Sequence, residues 1–61
     1  MYIIYLNGDV FAEIGAKSAP HALRKVRRAL PNSWNYTLQG RGERVKMVSS
    51  CGANYTARRI G

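Results

Sequence analysis

Acidic residues are scarce in this chain. Asp9, Glu13 and Glu43 are the three acids among 61 residues, and none stands between Glu13 and Glu43. General acid–base work usually needs carboxylates or imidazoles gathered at one place. Three acids this far apart in sequence argue against an enzyme. Cysteine and histidine are scarcer still. Cys51 is the one cysteine, so no disulfide can form within the chain, and with His21 as the one histidine no zinc-ligand set is expected. His21 is expected on an exposed surface and Cys51 as a small residue in a turn. Gly40-Arg41-Gly42 lacks the longer glycine spacing and the following Lys-Ser/Thr of a phosphate-binding loop, so no nucleotide cofactor is expected either.

Long apolar runs are also missing. The opening MYIIYL is too short to span a membrane, and no charged leader precedes it. Neither a membrane partner nor secretion is expected. The expected location is the cytoplasm, that of the host if the protein is virus-encoded. Two Asn-Tyr-Thr sequons, at Asn35 and Asn54, then read as accidental.

What the chain has in abundance is positive charge. Ten Lys and Arg against the three acids give a net charge of +7. This balance favours a polyanionic partner, either nucleic acid or an acidic protein surface. The hydrophobic share of 46% is too high for a disordered basic tail. A chain of this length is expected to form one domain over residues 1–61, with only about 60% of its unfolded surface buried. Homodimerisation would be one way to bury more.

The stretch Ser18 to Leu30 predicts the single helix. At about 100° per residue, Ala19, Ala22, Leu23, Val26, Ala29 and Leu30 share one side. His21, Arg24, Lys25, Arg27 and Arg28 share the other. Ser18 is a favourable N-cap, Pro20 is tolerated in the first turn, and Pro31 ends the element. Arg27 and Arg28 in the last turn suit the negative end of the helix dipole.

The remaining segments read as strands. Asn7-Gly8 between Tyr2–Leu6 and Asp9–Ile14 is a strong hairpin signal. A two-residue turn with unbroken pairing sets Leu6 opposite Asp9 and Tyr2 opposite Glu13. Met1, Ile3, Tyr5, Val10, Ala12 and Ile14 would then face the helix, and Tyr2, Ile4, Leu6 and Phe11 would face away. Pro31 to Ser33 forms a turn. Further strands follow, with Trp34, Tyr36, Leu38, Val45, Met47, Tyr55 and Ala57 pointing inward. The expected fold is α+β: a small antiparallel sheet in the order ββαββ(β), with one helix packed across one face.

The function expected from this pattern is a small, basic, non-enzymatic nucleic-acid-binding protein of a virus, mobile element or bacterium. Phosphate contacts would dominate, with weak sequence preference. Its contacts are expected from Arg24, Lys25, Arg27 and Arg28 on the helix, Arg41 in the glycine turn, and Arg44, Lys46 and Arg58 on the sheet. Tyr2 and Phe11, on the face away from the helix, are the expected stacking or interface residues. The alternative is a small inhibitor or adaptor that docks on an acidic surface of a larger host complex.

Overall fold

The computed structural model describes residues 1–30 and 35–60. In chain order the elements are β1 (Tyr2–Leu6), β2 (Asp9–Ile14), α1 (Ala19–Ala29), β3 (Tyr36–Gln39), a short 3-10 turn (Gly42–Arg44), β4 (Lys46–Ser49) and β5 (Asn54–Arg59). The strands form one five-stranded sheet in the order β2-β1-β5-β4-β3, and every neighbouring pair is antiparallel. The last strand thus inserts between the two hairpins and joins them. The expected α+β fold, with one helix packed against the sheet, is what the chain adopts. The expected terminator Pro31, the turn at 31–33 and Trp34 lie outside the described residues.

The helix has the expected caps. Ser18 is in an extended conformation, and its Oγ accepts from the His21 backbone N–H at 3.4 Å. Pro20 falls in the first turn, and the N–H of Leu30 donates to the Arg27 carbonyl to close the last. A second acceptor sits at the helix start. Glu43, from the 3-10 turn, accepts from the Ala19 N–H through Oε2 at 3.2 Å and from the Tyr2 hydroxyl through Oε1 at 2.6 Å. A carboxylate suits this place because the first-turn N–H groups lack intrahelical partners and carry partial positive charge. One acid therefore ties the β3–β4 connection to the start of the helix and to β1.

The first hairpin turns as expected. Asn7 has φ 51° and Gly8 has φ 91°, as a type I′ turn requires. Asn7 also holds β5: its N–H donates to the Asn54 carbonyl at 2.8 Å, and its Oδ1 accepts from the Asn54 N–H at 2.9 Å.

Beyond the turn, the pairing departs from the expected register. Leu6 faces Asp9 and Tyr5 faces Val10, but Ile4 then faces Ala12, Ile3 faces Glu13 and Tyr2 faces Ile14. Phe11 is the extra residue of a β-bulge. The physical reason lies in the side chains. With unbroken pairing, burying Tyr2 and Ile4 would bring Glu13 to the covered face with them. The extra residue instead sets Tyr2 and Ile4 beside Ile14 and Ala12 and turns Glu13 outward.

The core is corrected accordingly. Tyr2 at 1% exposure and Ile4 at 0% are buried, in one cluster with Ala19, Ala22, Leu23, Val26, Val45, Met47 and Tyr55. Ile3, Tyr5 and Val10, expected inside, are on the opposite face, with Val10 at 71% exposure. Ala12, Ile14, Tyr36 and Ala57 pack against the core as expected, whereas Leu38, on the short edge strand β3, remains 39% exposed. Ala29, expected on the apolar side, is exposed.

Gly40 is the glycine on which the β3–β4 connection depends. Its φ is 92°, and a Cβ there would lie 2.8 Å from the Arg44 carbonyl oxygen. Replacement by Ala adds backbone strain and a clash with a main-chain atom. Gly40→Ala should therefore lower unfolding free energy by about 1–3 kcal/mol in urea titrations. Gly15→Ala should be near neutral, because nothing lies within 4 Å of its added Cβ and its φ is not positive. Equal stability of the two variants would contradict this account.

Candidate nucleic-acid interface

Two cationic surfaces emerge, on opposite sides of the sheet. The first is the solvent side of α1. Arg24, Lys25, Arg27 and Arg28 are all exposed, as the helical period predicts. Two of them have intramolecular contacts. Lys25 Nζ donates to the Gly15 carbonyl at 2.6 Å, and the Arg27 guanidinium lies 5.7 Å from the centre of the Tyr36 ring. Arg24 and Arg28 have no hydrogen bond, ion pair or ring contact among the described residues. They are four apart in sequence, so their side chains leave the helix one above the other, with Cβ atoms about 5–6 Å apart. His21 lies one turn towards the N-terminus. It is half-buried rather than exposed, and its Nδ1 accepts from the Lys17 N–H at 3.4 Å.

The second surface is the sheet face turned away from the helix. Its membership follows from register, because directly opposed residues share a face. Thr56 is opposite Tyr5 on one side and Lys46 on the other, and Lys46 is opposite Gln39. Tyr5 is also opposite Val10. The neighbouring row runs from Glu13 through Ile3 to Arg58. Lys46 and Arg58 therefore occupy the open face, as expected, and no described element lies over it. The described residues form no pocket, so both surfaces are open to solvent rather than sunk in a cleft.

The other expected residues sit elsewhere. Tyr2, expected as a stacking residue on the outer face, is buried and hydrogen-bonded to Glu43. Phe11, at 44% exposure, turns to the helix side, where its ring meets that of Tyr55 edge-on at 5.6 Å. The bulge is the cause in both cases, and it puts Tyr5 where Tyr2 was expected. Arg44, expected on a strand beside Lys46, belongs to the 3-10 turn, and Arg41 immediately precedes that turn. Both are exposed. Arg59 carries no local sequence signal for a role. It is opposite Tyr2, and its guanidinium stands 3.9 Å from Glu43 Oε1, with both side chains largely exposed. Nothing in the local sequence marks this contact, because it depends on β5 pairing with β1.

Cys51 is exposed in the β4–β5 turn, where the Ser49 hydroxyl, 3.0 Å from its Sγ, holds the thiol below its ordinary pKa. No group of three or more His, Cys, Asp or Glu among the described residues is placed to hold a metal ion. No helix among them is long and apolar enough to cross a membrane.

A small antiparallel sheet with one helical layer, one open face and two basic surfaces is thus the class that the geometry defines. Comparison with family models, curated proteins and solved structures finds no match.

The Glu43 contact has a measurable pH signature. The hydrogen bond from the Tyr2 hydroxyl to Glu43, together with burial and the carboxylate's charge, raises the Tyr2 pKa, against a smaller opposing effect of Arg59. Burial raises that of Tyr55, with Tyr36 and Cys51 adding to it. A phenol that ionises later when folded keeps its proton after the unfolded chain has lost its own. Its stabilising contribution is therefore complete below about pH 10 and is lost as pH rises through the ordinary tyrosine value towards the raised one. Unfolding midpoints in urea should fall above about pH 10, and less steeply in Tyr2→Phe than in the natural sequence. Identical slopes would remove the Tyr2–Glu43 contact from the account.

Proposed function

We propose that the protein is a small nucleic-acid-binding module whose affinity comes mainly from phosphate contacts, with weak sequence preference. The observation that carries this reading is the solvent side of α1. Four cations lie within five residues, no acid stands among them, and Arg24 and Arg28 have no partner among the described residues. Guanidinium groups suit phosphate oxygens because their planar forks of N–H donors match them in pairs. The helix carries no Asn or Gln for reading base edges in a major groove, and no second helix precedes it among the described residues. Arg41 and Arg44, in and beside the 3-10 turn, add positive charge at the surface.

Docking on an acidic protein surface, as an inhibitor or adaptor, is a second reading. Of its expected interface residues, Tyr2 is core and Phe11 packs on Tyr55. What favours it now is the group Ile3, Tyr5 and Val10 on the open face. A stoichiometric partner recovered from nuclease-treated lysate, with no nucleic-acid binding by the pure protein, would favour this reading over the first. A cytoplasmic place of action and a viral or bacterial source are part of the proposal.

Salt dependence tests the main reading. If the four helix cations neutralise four phosphates of a duplex, log affinity should fall with log salt at a slope of about −4. Arg24→Ala with Arg28→Ala should make that slope shallower by about 2 and weaken binding evenly across sequences. A salt-independent affinity, or a slope unchanged in the double variant, would contradict phosphate contact through the helix.

A further inference from the structure

We infer that the open face of the sheet is a second site, specific for single-stranded nucleic acid. Tyr5 is the platform on which a base stacks, and Lys46 and Arg58 hold the adjoining phosphates. This rests on the nucleic-acid reading above and adds to it a ligand form, a location and a residue.

The bulge sets which side chains face outward. By taking Phe11 out of the pairing, it turns Tyr5 and Ile3 outward. An aromatic ring is thereby left half-exposed on a sheet face over which no described element lies. Were the ring needed only for folding, the covered face would be its place, where Tyr2 and Tyr55 already are.

The second step is the charge around the ring. Thr56 separates Tyr5 from Lys46, so the lysine backbone is two strands away, about 9.5 Å. Arg58 is two residues along β5 from Thr56, on the diagonal from Tyr5 at about 7–8 Å. Both side chains are long enough to reach a phosphate next to a base lying on the ring. Neither has an ion pair or hydrogen bond among the described residues. Glu13 is the acid on this face, opposite Ile3 and on the far side of it from Arg58. Positive charge is thus concentrated over β4 and β5, and the ring lies at its margin.

The third step distinguishes single strands from duplexes. In a duplex the faces of the bases are stacked on each other and closed to a protein ring. In a single strand they are available, and stacking on an aromatic side chain tolerates any base. An open face with an accessible ring and flanking cations complements the unpaired strand.

The test titrates a labelled oligothymidylate and a mixed-sequence duplex of equal length, at low and moderate salt, against the natural protein, Tyr5→Ala, Tyr5→Phe and Lys46→Ala with Arg58→Ala. Tyr5→Ala should weaken single-strand binding about tenfold and leave duplex binding unchanged. Tyr5→Phe keeps the π face and should keep the affinity. The double cation variant should also lose single-strand affinity, and ultraviolet crosslinking of the oligothymidylate to the natural protein should map to Tyr5. Crosslinking needs no substitution, so the test survives if Tyr5→Ala fails to fold.

Unchanged single-strand affinity in a folded Tyr5→Ala, or equal losses for both ligands, would overturn this inference. The nucleic-acid reading would still stand if duplex binding kept its dependence on salt and on Arg24 and Arg28. Sedimentation of the free protein as a dimer that Tyr5→Ala dissociates would assign the face to a second copy and overturn it as well. Failure of both ligands to bind would overturn this inference and the proposed function together.

Discussion

The structure depends on one constraint: a single short helix must close the core of a five-stranded sheet. An eleven-residue helix is about 16 Å long, and five strands extend about 19 Å from first to last. The helix packs chiefly over β1, β5 and β4, leaves Phe11 of β2 and Leu38 of β3 exposed on that side, and covers none of the other face. Which residues of each strand meet it is decided by register, and a shift of one residue reverses the choice along a whole strand. In β1 both alternatives are apolar, Tyr2 and Ile4 against Ile3 and Tyr5. The choice falls to β2, where Ala12 and Ile14 are suitable for the core and Glu13 is not. The bulge at Phe11 brings the two strands into agreement.

The two basic surfaces follow from the same constraint. Alanine, leucine and valine commit one side of the helix to the core, so its cations have only the solvent side to occupy. On the sheet, Tyr55, Ala57 and Met47 face the core, which leaves Thr56, Arg58 and Lys46 for the uncovered side. In the proposed role, nucleic acid would meet the protein from either side, through phosphates at the helix and through a base and phosphates at the sheet. Glu43 takes part by a different route. It supplies the helix N-terminus with an acceptor, and its partners Tyr2 and Arg59 belong to the two strands at the middle of the core. Among the described residues, the scarcity of acids leaves the other cations without an ion pair.

Much of this was legible in the sequence, because the signals concerned are local. Asn7-Gly8 has no common use other than its turn, and the caps and apolar stripe of α1 are read within a dozen residues. In β5 the inward Tyr55 and Ala57 alternate with Asn54, Thr56 and Arg58, so their assignment needs no partner strand. The register of the first hairpin is not legible, because YIIYL is apolar on both faces and a bulge leaves no mark in an isolated strand. The consequence for the site was direct: Tyr2 and Tyr5 exchanged roles. The placement of β5 between β1 and β4, and with it the Glu43–Arg59 and Asn7–Asn54 contacts, depends on pairing between the two ends of the chain. No local pattern encodes such pairing.

The bulge buries Tyr2 and Ile4 and turns Ile3 and Tyr5 outward. Nuclear Overhauser effects between β1 and the methyl groups of Leu23 and Val26 in the isotopically labelled protein would test this placement. Cross-peaks are expected from the Tyr2 ring and the Ile4 methyl groups to the helix methyl groups, and none from Ile3 or Tyr5. Cross-peaks from Ile3 and Tyr5 in their place would mean that the hairpin pairs without a bulge. Tyr5 would then be a core residue, and the open face would lose the ring on which its proposed role depends.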